Sequence, residues 1–557
     1  MIKIKDHNQL ELPGLEKWKN MYSSSKLNLL EKSWAGVFRE YALPLIPVDK
    51  LLKYYKHSNT GRPTKELFAI MGAVALQQFF NYTDEETVHH MAFNQEWHFA
   101  LECFDEKDQL ISLKTLWTVR NRMVEENISL NLFNKFNEKV IKVFNIDTSK
   151  QRLDSVHVNS NMARLGRIRT LSRTIEIFLK TLKKDYKEIY DTKIEQRLKD
   201  LFFKEKECLI FGQVRPSESE KTLKTLAKDM CNLINLFNSH DEIANTKNYK
   251  MMERTFTEHC EVKEGKIELK VSKKIDCTSL QNPSDPDAGY DGHKGQGYQN
   301  QIAETYSDDS DENALNIITY FETQSAAIHD SHALPEVIDD LSQRGICPST
   351  LLCDAAYGSD KNIKYGAENN VEVISPVPGN TSKRGIEDFK FDEDSLHIIA
   401  CPANHAPDKM LLSKKNRFCA KWKKATCENC PLKDECPAIK QIEYRVIYYR
   451  KTEASSQIRR KKEHTAEYKE KYRFRSGIEG TNSRFISQTK ARRSRYRGLK
   501  KMSFSQILKG MFINIHRIAK STQWKSIFTL LGFFGAFCDS FWTQKMKIDD
   551  RFQSIPV

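Results

Sequence analysis

Residues 472–501 read YRFRSGIEGTNSRFISQTKARRSRYRGLKK and set one acid, Glu479, inside the most basic passage of the chain. At about 100° per residue, Tyr472, Arg475 and Glu479 fall within roughly 60° of one helix face, and a straight helix would return to that face at Lys490. Gly477 and Gly480 flank the acid, each weakening a helix interior by about 1 kcal/mol relative to Ala, so a kink would undo the Lys490 alignment. Beyond Ser487 come Lys490, Arg492, Arg493, Arg495, Arg497, Lys500 and Lys501, the density expected of a phosphate-binding strip. A carboxylate beside such a strip opposes simple DNA binding. It makes sense if it holds a divalent cation next to the phosphate under attack. The alternative is a solvated surface helix with an incidental Glu.

The remainder of the chain bounds the reading. Its 557 residues suit about three or four domains by length. The net charge is +14 with 29% of residues charged, so clustering is more informative than size. The excess gathers in 450–501, with a smaller run at 164–184, which favours nucleic acid over a membrane surface. Thirteen cysteines are too sparse for a disulfide-stapled secreted fold. The opening MIKIKDHNQLELPG has no apolar signal-peptide region, and the late apolar run Ile527 to Cys538 is shorter than the roughly 20 residues that cross a bilayer. A soluble cytoplasmic protein is expected.

Residues 1–150 read as mostly helical. Leu67, Ile70, Met71, Val74 and Ala75 recur at helical spacing after Gly61-Arg62-Pro63-Thr64, and Thr83-Asp-Glu-Glu86 matches a capping box. Residues 111–123, ISLKTLWTVRNRM, fit a basic helix starting at Ser112, with Lys114, Arg120 and Arg122; simple packing is favoured over DNA contact. From 151 the texture changes. Leu153, Val156 and Val158 surround Asp154 in a strand pattern, then 164–260 returns to helix with Ile175, Phe178, Leu179 and Leu182 as one face. A polar connection at 281–297 precedes strands at 298–307 and 314–327 and a helix at 334–345 stopped by Gly345. STLLCDAAYGS (349–359) reads as a buried strand delivering Asp354 at its end, and 371–377 as another strand.

Acids at the ends of neighbouring strands are where α/β sheets place sites. Phosphodiester cleavage carries a large barrier, and two divalent cations about 3.5–4 Å apart lower it by activating the attacking oxygen and stabilising the leaving one. One acid from each of two strands and one from a helix packed over them would suit Mg²⁺. Each acid taken singly reads as an ordinary surface or cap residue; the three contexts together carry the weight.

The chain resembles the DDE transposases of bacterial insertion sequences, over roughly 60–125, 150–165, 283–360, 400–440 and 466–520. LDSVHVNSNMAR resembles the first-acid strand, implying Asp154; LLCDAAYGSDKN the second motif, implying Asp354 with Tyr357-Gly358-Ser359 in its turn; and RSGIEGTNSRF with RYRGLKK the third, implying Glu479. Tyr472, Arg475 and Glu479 match the Tyr-x2-Arg-x3-Glu signature. Ile486 stands where the family has a base seven residues after the Glu, leaving Arg484 or Lys490 as substitutes.

The resemblance implies an α/β fold: a ribonuclease H-like mixed sheet core with a large helical insertion (about 164–280), a helical N-terminal domain and a small cysteine-rich, zinc-ribbon-like insert (about 398–440). The domains would be 1–148, binding DNA; 149–520, catalytic; and a tail, 521–557. It further implies Mg²⁺ or Mn²⁺ (two ions) on Asp154, Asp354 and Glu479. Phosphates would be held by Tyr472, Arg475 and Lys490 and by Arg492, Arg493, Arg495 and Arg497. The partners would be double-stranded DNA, at the element ends and the target, and a second copy of the chain in a homodimer on paired ends, in a nucleoid-associated cytoplasmic setting.

Cys427, Cys430 and Cys436, with Cys401 as a distant fourth, have the spacing of a Cys₄ structural zinc site, with Cys419 and His405 as rival ligands and free thiols as the alternative. Cys353, beside Asp354, alternates away from it on a strand and reads as a packed thiol; His89 and His90 read as core or interface residues. Two rival functions stand beside the transposase: a non-enzymatic, domesticated DNA-binding protein, and a nuclease without strand transfer.

Overall fold

In the computed structural model, residues 2–6, 21–55, 63–204, 211, 214–308, 314–379, 385–412 and 417–526 are described. Gly61, Arg62, the 527–538 apolar run and most of the expected tail lie outside the described residues.

The centre is a six-stranded mixed sheet: β1 (Lys150–Asn159), β2 (Gly289–Asp291), β3 (Gly295–Thr305), β4 (Ile318–Ser325), β5 (Thr350–Cys353) and β6 (Glu372–Ile374). β3 lies between β1 and β4, antiparallel to both, whereas β5 runs parallel to β1 and β6 parallel to β5. β5 is buried on both faces, with Leu351, Leu352 and Cys353 at 0% exposure, as its unbroken apolar run demands. The turn into the Ala333–Gln343 helix's successor strand uses Gly345 at φ +68°, a conformation that favours glycine.

The N-terminal region is helical, and two starts follow their local chemistry. Thr83 and Glu86 form the reciprocal capping box of the Asp84–Phe93 helix, and Ser112 caps Leu113–Glu125. Arg120 of that second helix is buried against Gln77 and Asp84, and Arg122 lies over Tyr54 and Tyr55, so both serve packing.

The helical region after β1 has a core of its own, in which Ile175, Phe178, Leu179 and Leu182 are fully buried. The cysteine-rich insert is built on a four-stranded antiparallel sheet, Lys409–Leu412, Phe418–Lys423, Ile439–Lys440 and Tyr444–Tyr449, unexpected from the sequence. Equally unanticipated is the helix Leu499–Lys520, which packs β4 on one side and the N-terminal helices on the other. Gly510 permits this approach, since a Cβ there would stand 2.5 Å from the Phe321 ring.

Candidate active site

Pairing places the first two acids together. Leu153 of β1 is opposite Cys353 of β5 in parallel register, so the next residue on each strand is an aspartate, Asp154 and Asp354. Asp354 ends β5 and its carboxylate accepts the Ala356 N–H at 2.9 Å, capping the turn Ala355–Tyr357. Cys353 points into the core, and burial pushes its thiol well above the usual range, as expected of a packed thiol.

The third acid arrives on a helix that differs from the expected one. The chain from Tyr472 is not one straight helix: Ala466–Tyr472 ends, Arg473–Ser476 tightens into a 3₁₀ turn, and Gly477–Thr489 follows. Ile478, Thr481, Phe485 and Thr489 are buried, with Thr481 donating to Glu304 and Phe485 against Phe321 of the sheet. Gly477 leaves room for the Arg152 guanidinium, which a Cβ there would displace. Glu479 is left on the flank with 65% of its side chain exposed. The helix stops at Thr489, and Lys490 turns out at φ +51°, so it does not return to the Glu479 face as a continued helix would bring it.

Arg475 joins the three acids. Its Nη2 lies 3.3 Å from Asp154 Oδ1 and 4.0 Å from Asp354 Oδ2, while Nη1 donates to Glu479 Oε1 at 2.8 Å. Burial pushes Asp154 up to about 6 against the pull of Arg475, with Asp354 and Asp330 adding to the rise. Although burial works against the charged guanidinium, Asp154, Tyr472 and the other acids hold Arg475 above its ordinary value. Tyr472 stacks on Tyr468 near the same carboxylates, its hydroxyl pushed up to about 12 by burial.

Two neighbours were missed in the sequence. Asn482, three residues after Glu479, donates to Asp154 Oδ2 at 3.1 Å; the i,i+3 spacing was its only available sign. Asp330 accepts from Ser155 and from Gln301, behind the site. It comes from a turn remote in sequence, and no local pattern marks it.

The basic strip leaves the helix and runs beside the end of β1. The Asn159 N–H donates to Arg492 O at 3.2 Å, Asn159 bridges to Arg493, and Arg497 donates to Asn161 at 3.2 Å. Arg492, Arg493, Arg495 and Arg497 are exposed, and Arg495 and Lys490 help hold Glu86 below the usual carboxylate range, after the Thr83 backbone N–H.

Among the described residues, no three His, Cys, Asp or Glu side chains form a group that could hold a metal ion in this arrangement. Arg475 occupies the space between the acids. The donor chemistry nevertheless suits an oxygen-preferring divalent cation. Asn482 Oδ1 and Arg475 Nε are buried there without a hydrogen-bond partner, as in a site that a ligand completes. In the insert, Cys401, Cys427, Cys430, Cys436 and His405 line one cavity of about 180 Å³, whereas buried Cys419 sits on a strand outside its lining. The Cys401 Sγ accepts the His405 N–H at 3.3 Å, and all four thiols are free of disulfides.

Residues 400–519 match the family described as transposase DDE domain, and residues 38–122 match the transposase domain family DUF772. No curated protein matches the chain. Both matches indicate a transposase role. Within that class they support an insertion-sequence DDE transposase, and with it DNA as partner and a place in transposition. None of the described helices is long and apolar enough to cross a membrane.

Proposed function

We propose that the protein binds the terminal inverted repeats of its own insertion sequence and catalyses metal-dependent cleavage and strand transfer, with Asp154, Asp354 and Glu479 as the catalytic acids. The observation that carries this reading is the single Arg475 guanidinium within reach of all three carboxylates, on strands whose register aligns the two aspartates. A β3 antiparallel to β1 beside a parallel β5 and β6 supports a ribonuclease H-like core.

The three acids would hold two Mg²⁺ or Mn²⁺ ions, which when bound supply an activated attacking oxygen and stabilise the leaving one. Arg475 then moves from the carboxylates towards substrate phosphate, as a planar guanidinium suited to either anion. Asn482 holds the Asp154 carboxyl in place. Asp154 must lose its proton before it can bind a cation. Tyr472 packs beside the scissile phosphate, and Lys490 with Arg492, Arg493, Arg495 and Arg497 follows the backbone beyond it. Region 1–148 and the strip would grip the end sequence within a homodimer on paired ends. Cys401, Cys427, Cys430 and Cys436 would hold one structural Zn²⁺, supported by their shared cavity. The setting is the bacterial cytoplasm and nucleoid.

The test is cleavage of a labelled fragment carrying the element's ends with Mg²⁺ or Mn²⁺. Wild type is expected to cut and join 3′ ends, and Glu479→Gln to bind without cutting. Cutting without joining would favour a nuclease. Binding by both proteins with no cutting under either metal would favour the non-enzymatic reading, and equal cutting by both would remove Glu479 from the site.

A further inference from the structure

The Glu479 helix has a second face. Gly477 and Arg484 lie roughly 140–160° round the axis from Glu479 at about 100° per residue. That face borders an open cavity of about 450 Å³, lined also by Arg152, residues 314–316 and the C-terminal part of the Leu499–Lys520 helix. Its size falls within the roughly 300–1,000 Å³ of small-molecule sites.

The charge of the wall is one-sided. Arg152, Arg484, Arg517 and Lys520 line it, with no acidic residue in the lining among the described residues. One carboxylate stands behind them: Glu304 is fully buried and shared between Arg152 at 2.6 Å and Arg517 at 2.8 Å. Burial would raise Glu304, yet Arg517 and Arg152 hold it below the usual carboxylate range, so it remains ionised. Arg484 and Lys520 have no carboxylate partner among the described residues. Among the described residues, the wall thus carries four cations against one carboxylate, and a low-dielectric wall focuses such a field.

The floor is open to a ligand. A Cβ on Gly480 would meet no atom within 4 Å, so this turn exposes backbone to the cavity. Arg517 is already oriented by Glu304 and Thr481, so it would lose little freedom in binding an anion. His516 is pushed down to about 4 by burial, then by Lys520; it is neutral near pH 7 and presents a ring rather than a charge.

We propose that this cavity binds phosphate groups, those of a nucleic-acid strand or of a free nucleotide, on the side of the helix away from the three carboxylates. The site does not depend on the cleavage chemistry.

The test uses the full chain in chelating buffer, with a labelled duplex and ADP as probes. It compares wild type with Arg484→Ala/Lys520→Ala and with Gly480→Leu, which places an apolar side chain on the cavity wall without changing any charge. If a nucleic-acid strand occupies the cavity, Gly480→Leu weakens duplex binding several-fold. The double variant then also lowers the slope of log affinity against log salt by about 2, the loss of two phosphate contacts. If a free nucleotide occupies it, ADP raises the wild-type melting temperature, both variants lose that rise, and duplex binding is unchanged. Gly480→Leu that melts cooperatively yet alters neither duplex affinity nor the response to ADP overturns the site, whatever the double variant does to the slope.

Discussion

Asp154 is held in a state that opposes its proposed work. It is buried beside another aspartate, and its carboxyl is pushed up to about 6 despite Arg475. A folded-state value above the unfolded one means that the native protein binds the extra proton between about pH 4 and 6. That stabilisation is present at low pH and is lost as pH rises through about 6. At about 1.4 kcal/mol per unit, the cost at pH 8 is on the order of 2–3 kcal/mol. Asp154→Asn is therefore expected to melt like wild type near pH 4 and several degrees above it at pH 8 without divalent cation. Adding Mg²⁺ should raise the melting temperature of wild type only. Equal melting at pH 8 would show that burial does not strain Asp154. The strand that carries this acid was legible because Leu153, Val156 and Val158 surround it in an apolar pattern. Its partners Asn482 and Asp330 were not, since each meets β1 only through tertiary packing.

At the scale of elements, close approach rather than propensity decides what is tolerated. Gly510 lies in the middle of the Leu499–Lys520 helix, where glycine costs about 1 kcal/mol relative to Ala, and its compensation is contact with Phe321 of β4. Gly510→Leu is expected to lower stability by about 1–3 kcal/mol through overpacking, read as a lower denaturant midpoint. A gain in stability would mean that helix and sheet separate easily. The insert is proposed to rely on a different device. Its sheet is small and its cysteines line a cavity, so zinc should be recovered at one equivalent per chain by metal analysis and be lost in Cys430→Ala. Chelation should melt the insert first, and metal-free protein with an unchanged melt would leave the thiols simply packed. Caps could be read directly, as at Thr83, Glu86 and Ser112, because their chemistry is local. The Leu499–Lys520 helix could not, because burial among the sheet and N-terminal helices removes the polar face that periodicity needs. The Arg473–Ser476 turn escaped for another reason: a 3₁₀ turn retains a similar spacing of side chains while shifting their direction.

Across the whole molecule, hydrophobic cores and proposed functional regions are drawn on different lines. One core joins N-terminal residues such as Phe38, Phe79 and Phe133 to Ile302 and Phe321 of the sheet and to Phe512 of the Leu499–Lys520 helix. Phe79 stacks on Phe512 with centroids 4.8 Å apart, and Asn137 and Asn514 share the Ile318 carbonyl. Buried Lys509 bridges the other way, donating to Asn81 Oδ1 at 3.0 Å and to the Thr489 carbonyl that ends the Glu479 helix at 2.9 Å. The helical insertion and the cysteine-rich insert each have a separate core. Cooperative units follow shared burial, so region 1–148 should unfold with the central sheet and the two insertions more independently. A 1–148 fragment is expected to be helical by far-ultraviolet circular dichroism, yet to bind a hydrophobic dye and melt without a sharp transition. In the full chain, hydrogen exchange should protect residues 67–80 and 499–520 to the same limiting free energy, with 171–260 opening at a lower one. A fragment that melts as sharply as the full chain would place the energetic boundary at 148. Region 1–148 would then act as a module joined to the acids by chain alone, rather than through Phe512 and Lys509.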